Sequence, residues 1–166
     1  MRDRFVGIIV AFVTLSFLTG CARGDSELHG WRAMQAGMKL SWEQGAGPQG
    51  EGAFVLLYTV ATGQDYAIQR HVPVESLQGP PNVRLWARAT RILYLSFVLV
   101  DENGHEHQCA RTLSTGKWRE LNFDDFQPPI QAWSQVATLR LVDRIGSLGG
   151  QGPVSLKLAG LLFESP

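Results

Sequence analysis

Arg84, Trp86 and Arg88 stand two residues apart within 82–90, so an extended chain turns two guanidinium groups and an indole to one side. That trio suits recognition of a sugar. An aromatic ring offers a flat surface to the C–H face of a pyranose, and each arginine presents N–H donors in a fixed fork to hydroxyls or carboxylates. Tyr94 joins the set if its strand is a neighbour. The same residues also fit a second apolar layer, with Trp86 beneath a loop and the arginine stems covering it.

A second constellation is His105, His107, Cys109 and Arg111, again alternate positions of one run. Two histidines two apart on a strand can share a metal ion, with His71 as a third ligand if its strand were adjacent. Cys109 lies four residues from His105, about 13 Å along a strand, too far for one ion to span. The histidines therefore read as solvated side chains just past a hairpin, and no metal site is assigned. His107 and Arg111 remain candidate ligand contacts because their run has no clean apolar face. It either forms an exposed edge or lines a wet groove.

Other chemistries lack their residues. There is no Gly-x-Ser-x-Gly elbow and no His-Glu-x-x-His. Asp124 and Asp125 are adjacent and would point apart on a strand, unlike the facing carboxylates of glycoside hydrolysis. The Gly-rich stretches 45–52 and 146–152 lead into strands rather than a helix N-terminus, which excludes a phosphate cradle. They read as long connections rimming one end of the fold.

The elements that must position these side chains are short. From about Met38, runs of β-branched, aromatic and aliphatic residues alternate with Gly, Pro, Asn and Asp clusters at near-regular intervals. That rhythm predicts an all-β fold, a two-sheet antiparallel β-sandwich. The expected strands are 38–43, 53–61, 65–73, 82–90, 92–101, 105–113, 118–123, 136–143 and 154–164. Asn103-Gly104 predicts a type I′ hairpin between the fifth and sixth of them. Leu93, Leu95, Phe97 and Leu99 predict one buried face; Val83, Leu85, Ala87 and Ala89 predict another. Trp118 and Phe126 are expected in the core, whereas Trp42 and Trp133 fall near loops.

The N-terminus is a different kind of segment. Arg2 and Arg4 precede the apolar run Phe5–Phe17, which closes on Leu18-Thr19-Gly20-Cys21. This resembles the lipobox of bacterial lipoproteins. The resemblance implies a signal peptide over 1–20, cleavage before Cys21 and a diacylglyceryl thioether on its sulfur. Ala22 after the cysteine implies sorting to the periplasmic side of the outer membrane in a Gram-negative host. Residues 21–36 read as lipidated cysteine and tether, and 37–166 as the β-sandwich domain. Without Arg2, Asp3 and Arg4 the mature chain carries 13 basic and 14 acidic residues, which excludes a basic field for nucleic acid. Cys109 is then the single thiol, expected to be buried.

Leu85–Ala89, Leu93–Gly104 and Gly116–Phe126 together resemble galactose-binding-like jelly rolls, a scaffold that includes carbohydrate-binding modules. The shared pieces are a strand ending in Asp-x-x-Gly, a Trp opening the next strand but one, an Asp-Phe corner, and a late strand such as Leu156–Leu162. The resemblance implies a glycan on one sheet face, with Arg84, Trp86, Arg88 and Tyr94 among the contacts. Many relatives carry an Asp where this chain has Ala159-Gly160, so a structural calcium ion has no specific ligands and no cofactor is expected. The function expected is a membrane-anchored, non-catalytic, carbohydrate-binding-like lipoprotein of the cell envelope, whose partner is a polysaccharide. The alternative is a structural or assembly lipoprotein whose sandwich docks another envelope protein.

Overall fold

The computed structural model describes residues 30–72, 82–130 and 136–164. The lipobox, Cys21 and Trp133 lie outside them. Ten strands follow in order: β1 (Arg32–Ala33), β2 (Lys39–Glu43), β3 (Ala53–Val60), β4 (Tyr66–His71), β5 (Asn82–Ala89), β6 (Leu93–Asp101), β7 (Glu106–Leu113), β8 (Arg119–Phe123), β9 (Val136–Asp143) and β10 (Gly152–Glu164). They form two five-stranded sheets, β1-β4-β9-β6-β7 and β2-β3-β10-β5-β8, with every ladder antiparallel. This is the two-sheet β-sandwich that the strand rhythm predicted.

Period-two alternation explains the core. Leu93, Leu95, Phe97 and Leu99 of β6 face Val83, Leu85, Ala87 and Ala89 of β5 across the sandwich, and all eight are buried in one cluster. Phe97 meets Phe123 of β8 with ring centroids 5.5 Å apart, joining the two layers. Burying each of these Leu, Val and Phe side chains contributes about 1.5–3 kcal/mol. Cys109 lies opposite Phe97 in the register and is buried, as expected.

Three local expectations are corrected. The stretch assigned to the tether already belongs to the domain: Trp31 is buried and Arg32–Ala33 pairs with Gln69 and Ile68 of β4. Two paired residues are too few to show a period, so this strand left no pattern. The hairpin at 101–105 is a three-residue loop rather than a two-residue one. Asp101 and His105 close it, Gly104 carries φ 83°, and its N–H donates to the Asp101 carbonyl. The Asp101 carboxylate takes over the turn's remaining donors, accepting from Asn103 N and His105 N at 2.8 Å each. Finally, β10 is not one even run. A bulge between Ala159 and Leu162, with Gly160 at φ 59°, lets both Leu158 and Leu161 pack on the core.

The connection between β5 and β6 decides what shares a face. Only Thr90-Arg91-Ile92 separates them, yet it carries the chain from one sheet to the other.

Candidate functional site

The outer face of the sheet β1-β4-β9-β6-β7 concentrates polar side chains over a floor of small ones. Register places Ala67, Val142, Ser96 and Ala110 side by side across β4, β9, β6 and β7. One row along stand Gln69, Arg140, Val98 and Gln108; the next holds His71, Thr138, Val100 and Glu106. Although they point away from the core, Ala67, Ser96, Val98 and Val142 are buried.

Two arginines account for that burial. Arg140 on β9 reaches Glu106 on β7 at 2.7 Å, and Arg144, just past β9, reaches Gln108 on β7 at 2.9 Å. Because β6 lies between β9 and β7, both side chains cross it and lay their stems over Ser96 and Val98. Arg144 also bonds Asp65 at 2.9 Å, and Asp65 accepts from Ser147. One guanidinium thus ties the β3–β4 turn to β7 across the width of the face. The two arginine side chains stay 28% and 32% exposed.

At the other edge Arg32 donates to His71 Nε2 at 3.2 Å, which leaves Nδ1–H to donate to Thr138 Oγ1 at 3.0 Å. Tyr94 is exposed at the rim, and its carbonyl accepts from Arg144 N. Ser96 Oγ and Arg140 Nε are buried beneath this layer, with no hydrogen-bond partner among the described residues. The face can hold a chain of hydroxyls or carboxylates through arginine, glutamine and histidine, with the Tyr94 ring at its end. Arg32, Arg140 and Arg144 outnumber Asp65 and Glu106, which favours an acidic ligand.

The sequence-predicted residues are dispersed. Arg84, Trp86 and Arg88 do share one face, but it is the outer face of the other sheet. Arg84 lies 3.6 Å from Glu120. Trp86 is half-buried beside Gly160, where an added Cβ would come within 3.4 Å of its ring. Tyr94, expected beside them, is on the opposite side of the sandwich. The correction follows from the crossing at residues 90–92.

His107 and Arg111 lie away from that outer face. They stand opposite Leu99 and Leu95, on the inward side of the edge strand β7. His107 Nδ1 donates to the Pro128 carbonyl at 2.7 Å. Arg111 bonds Asp124 at 2.7 Å and sits 5.9 Å over the Phe123 ring. Both close the seam between the sheets, where an inward residue of an edge strand need not be apolar. His105 donates to Asp101 at 2.9 Å, and among the described residues no three His, Cys, Asp or Glu side chains come together around a metal position.

Reasoning from sequence missed Ser96, Gln108, Arg140 and Arg144. A signal existed for one of them: Thr138, Arg140 and Val142 alternate with Leu139 and Leu141, which marks Arg140 as outward.

No family model matches this chain, and no curated protein matches it. Solved structures do. The family 11 carbohydrate-binding module of a cellulosomal cellulase of Clostridium thermocellum superposes with TM-score 0.54 at 11% identity, over 91% of this chain and 98% of that one. A family 4 carbohydrate-binding module gives TM-score 0.52 at 14% identity, over 86% and 99%. An exo-beta-agarase gives TM-score 0.64 at 9% identity, over 82% of this chain but only 23% of its own, so the chain spans about a quarter of that enzyme. The fold is therefore the jelly-roll β-sandwich found in carbohydrate-binding modules.

Proposed function

We propose that the protein binds a carbohydrate, without cleaving it, on the outer face of β4, β9, β6 and β7, and that a lipid on Cys21 holds it in the cell envelope. The observation that carries this reading is the pair of partly exposed arginines, Arg140 and Arg144, laid across β6 to Glu106 and Gln108 on β7. Guanidinium and amide groups on one open face suit sugar hydroxyls and carboxylates. The likeness to carbohydrate-binding modules supports it, including a family 11 module in complex with a β-1,3-1,4-mixed-linked tetrasaccharide at TM-score 0.51. Anchoring rests on Leu18-Thr19-Gly20-Cys21, with acyl chains supplying about 0.8 kcal/mol per buried methylene.

The outer face bearing Arg84, Trp86 and Arg88 is the second glycan surface, favoured by the accessible Trp86 ring beside Gly160. Affinity electrophoresis against neutral and acidic polysaccharides separates the two. Arg144→Ala and Tyr94→Ala are expected to weaken retardation, and Trp86→Ala to leave it intact. Retardation lost only with Trp86→Ala moves the site to the other sheet. No retardation by any polysaccharide removes the reading and favours a protein partner. Labelled palmitate incorporated into the wild-type chain but not into Cys21→Ser tests the anchor.

A further inference from the structure

Among the described residues the two sheets are the only layers, so no strand covers the outer face of β2-β3-β10-β5-β8. Leu56, Leu85 and Leu158 point into the core, and their neighbours along each strand point outward. Register arranges those outward side chains in rows. Lys39, Leu57 and Ser155 stand side by side; the next row holds Ser41, Val55, Lys157 and Arg88. Beyond them come Ala159, Trp86 and Glu120, then Leu162, Arg84 and Asn122. A solvated sheet face normally alternates apolar-in with polar-out. This one keeps Leu57 at 45% and Leu162 at 53% exposed near its two ends, with the half-buried Trp86 ring between them. Lys157 pairs with Glu43 at 3.2 Å and Arg84 with Glu120 at 3.6 Å. Exposed Lys39 and Arg88 have no ion pair among the described residues, which leaves the middle of the face positive.

The place where the chain enters the domain says what this face meets. Gly30 leads into β1, which touches β2 at one edge of the same sheet. From Cys21 to Gly30 the chain reaches at most about 30 Å, less than the roughly 40 Å run of β10. A lipid on Cys21 therefore keeps the domain within its own length of a bilayer. We propose that this face rests on an anionic phospholipid surface, Leu57, Trp86 and Leu162 lying at headgroup level and Lys39, Arg88 and Lys157 against the phosphates. The proposal rests on the anchor at Cys21. Indole rings settle at the membrane interface, and Lys and Arg stems lie along apolar surface while their heads reach anions. Each cation held at an anionic leaflet contributes about fivefold in partition. Arg140 and Arg144 are on the opposite side of the sandwich, so a domain docked this way turns its carbohydrate face away from the membrane.

The test is spin-label accessibility in the lipidated protein, reconstituted through its own anchor into phosphatidylcholine vesicles with or without phosphatidylglycerol. Nitroxides go in at Leu57→Cys and Leu162→Cys on this face and at Thr112→Cys on the other; Cys109 is buried and stays unlabelled. With phosphatidylglycerol present, the labels at 57 and 162 should collide with a nickel chelate carried on lipid headgroups at least fivefold more often than the label at 112. A water-soluble chelate should show the reverse order. Lys39→Glu combined with Arg88→Glu, or phosphatidylcholine alone, should bring the contrast below twofold. Ser41→Cys, exposed on the same face, replaces Leu57→Cys if that variant misfolds. Equal collision at all positions, the opposite order, or a contrast indifferent to both the charge reversals and the lipid overturns the proposal. A polysaccharide that shields position 112 and leaves 57 and 162 on the lipid supports it; one that lifts 57 and 162 off the lipid makes this face the glycan surface and overturns it. Palmitate labelling of the same preparations separates the failures. Without label on Cys21 the anchor and the docking fall together; with label and no contrast, the docking alone falls.

Discussion

Tyr58→Phe isolates one buried interaction whose size and pH dependence follow from the coordinates. Tyr58 Oη donates to Asp143 Oδ2 at 2.9 Å, and Ile145 N donates to Oδ1 at 3.0 Å. Asp143 is 2% exposed, on the inward side of β9. Burial pushes its carboxyl above the ordinary carboxylate range, against the pull of the Ile145 and Tyr58 hydrogen bonds and the Arg91 charge. The substitution keeps the ring, whose stack on Tyr66 at 5.0 Å persists, and deletes only the donor. A hydrogen bond to an ionised group contributes about 1.5–3 kcal/mol and a neutral one about 0.5–1.5. Tyr58→Phe should therefore cost about 1 kcal/mol where Asp143 is protonated and about 2 kcal/mol where it is ionised. For a domain of this size the larger loss corresponds to a midpoint shift of roughly 6–10 °C.

The sign of the wild-type pH effect is equally fixed. A carboxyl raised in the folded state binds its proton more tightly there than in the unfolded chain. Its contribution to stability is greatest in acid and falls as pH rises from 3.8 through the raised folded value. Removing the Tyr58 donor raises that value further, so the cost of substitution grows with pH across the same window. Urea unfolding of both proteins at pH 3.5, 5 and 7 reads this directly. A difference under about 0.5 kcal/mol at pH 7, or one that is larger in acid, refutes the reasoning.

Trp31→Ala should destabilise by about 3 kcal/mol in chemical denaturation, the low end for a buried tryptophan because one side of the ring already lines the open cleft between the sheets; a loss under about 1 kcal/mol would return residues 30–36 to the tether. Asp101 feels an upward push from burial, which hydrogen bonds from His105 N, the His105 ring and Asn103 N outweigh, holding its carboxyl below the usual range. Its support of the hairpin is then present above 3.8 and lost as pH falls through the depressed value, so Asp101→Ala should speed amide exchange at 102–106 at pH 6 and match wild type near pH 2. Glu106→Gln removes a half-exposed partner of Arg140 and should change stability by less than about 1 kcal/mol, while raising affinity for an acidic polysaccharide several-fold, measured by calorimetry at low salt.

Strand positions were legible because alternation in a half-buried strand is imposed by the pleat. The nine expected runs coincide with β2–β10 to within two residues at either end. Pairing was not legible. A three-residue join such as Thr90-Arg91-Ile92 suits a hairpin and a sheet crossing equally, and nothing local reports which one long-range packing selects. That ambiguity put Trp86 beside Tyr94. The same limit hid the site, since Arg140 and Arg144 become a recognition surface only when β6 and β7 lie beside β9. Edge strands mislead in another way: His107 and Arg111 looked like groove residues because their run lacks an apolar face, whereas an inward edge position can satisfy charge against a passing loop, as Arg111 does with Asp124.

The most direct test of the central claim is calorimetric titration of the wild type and the Arg140→Ala/Arg144→Ala double variant with the polysaccharide that retards the wild type most. The account predicts at least a tenfold loss of affinity in a variant that still unfolds cooperatively, at a midpoint lowered by the packing and bonds the two side chains give up. Unchanged affinity in that variant, in a protein that still unfolds cooperatively, contradicts it.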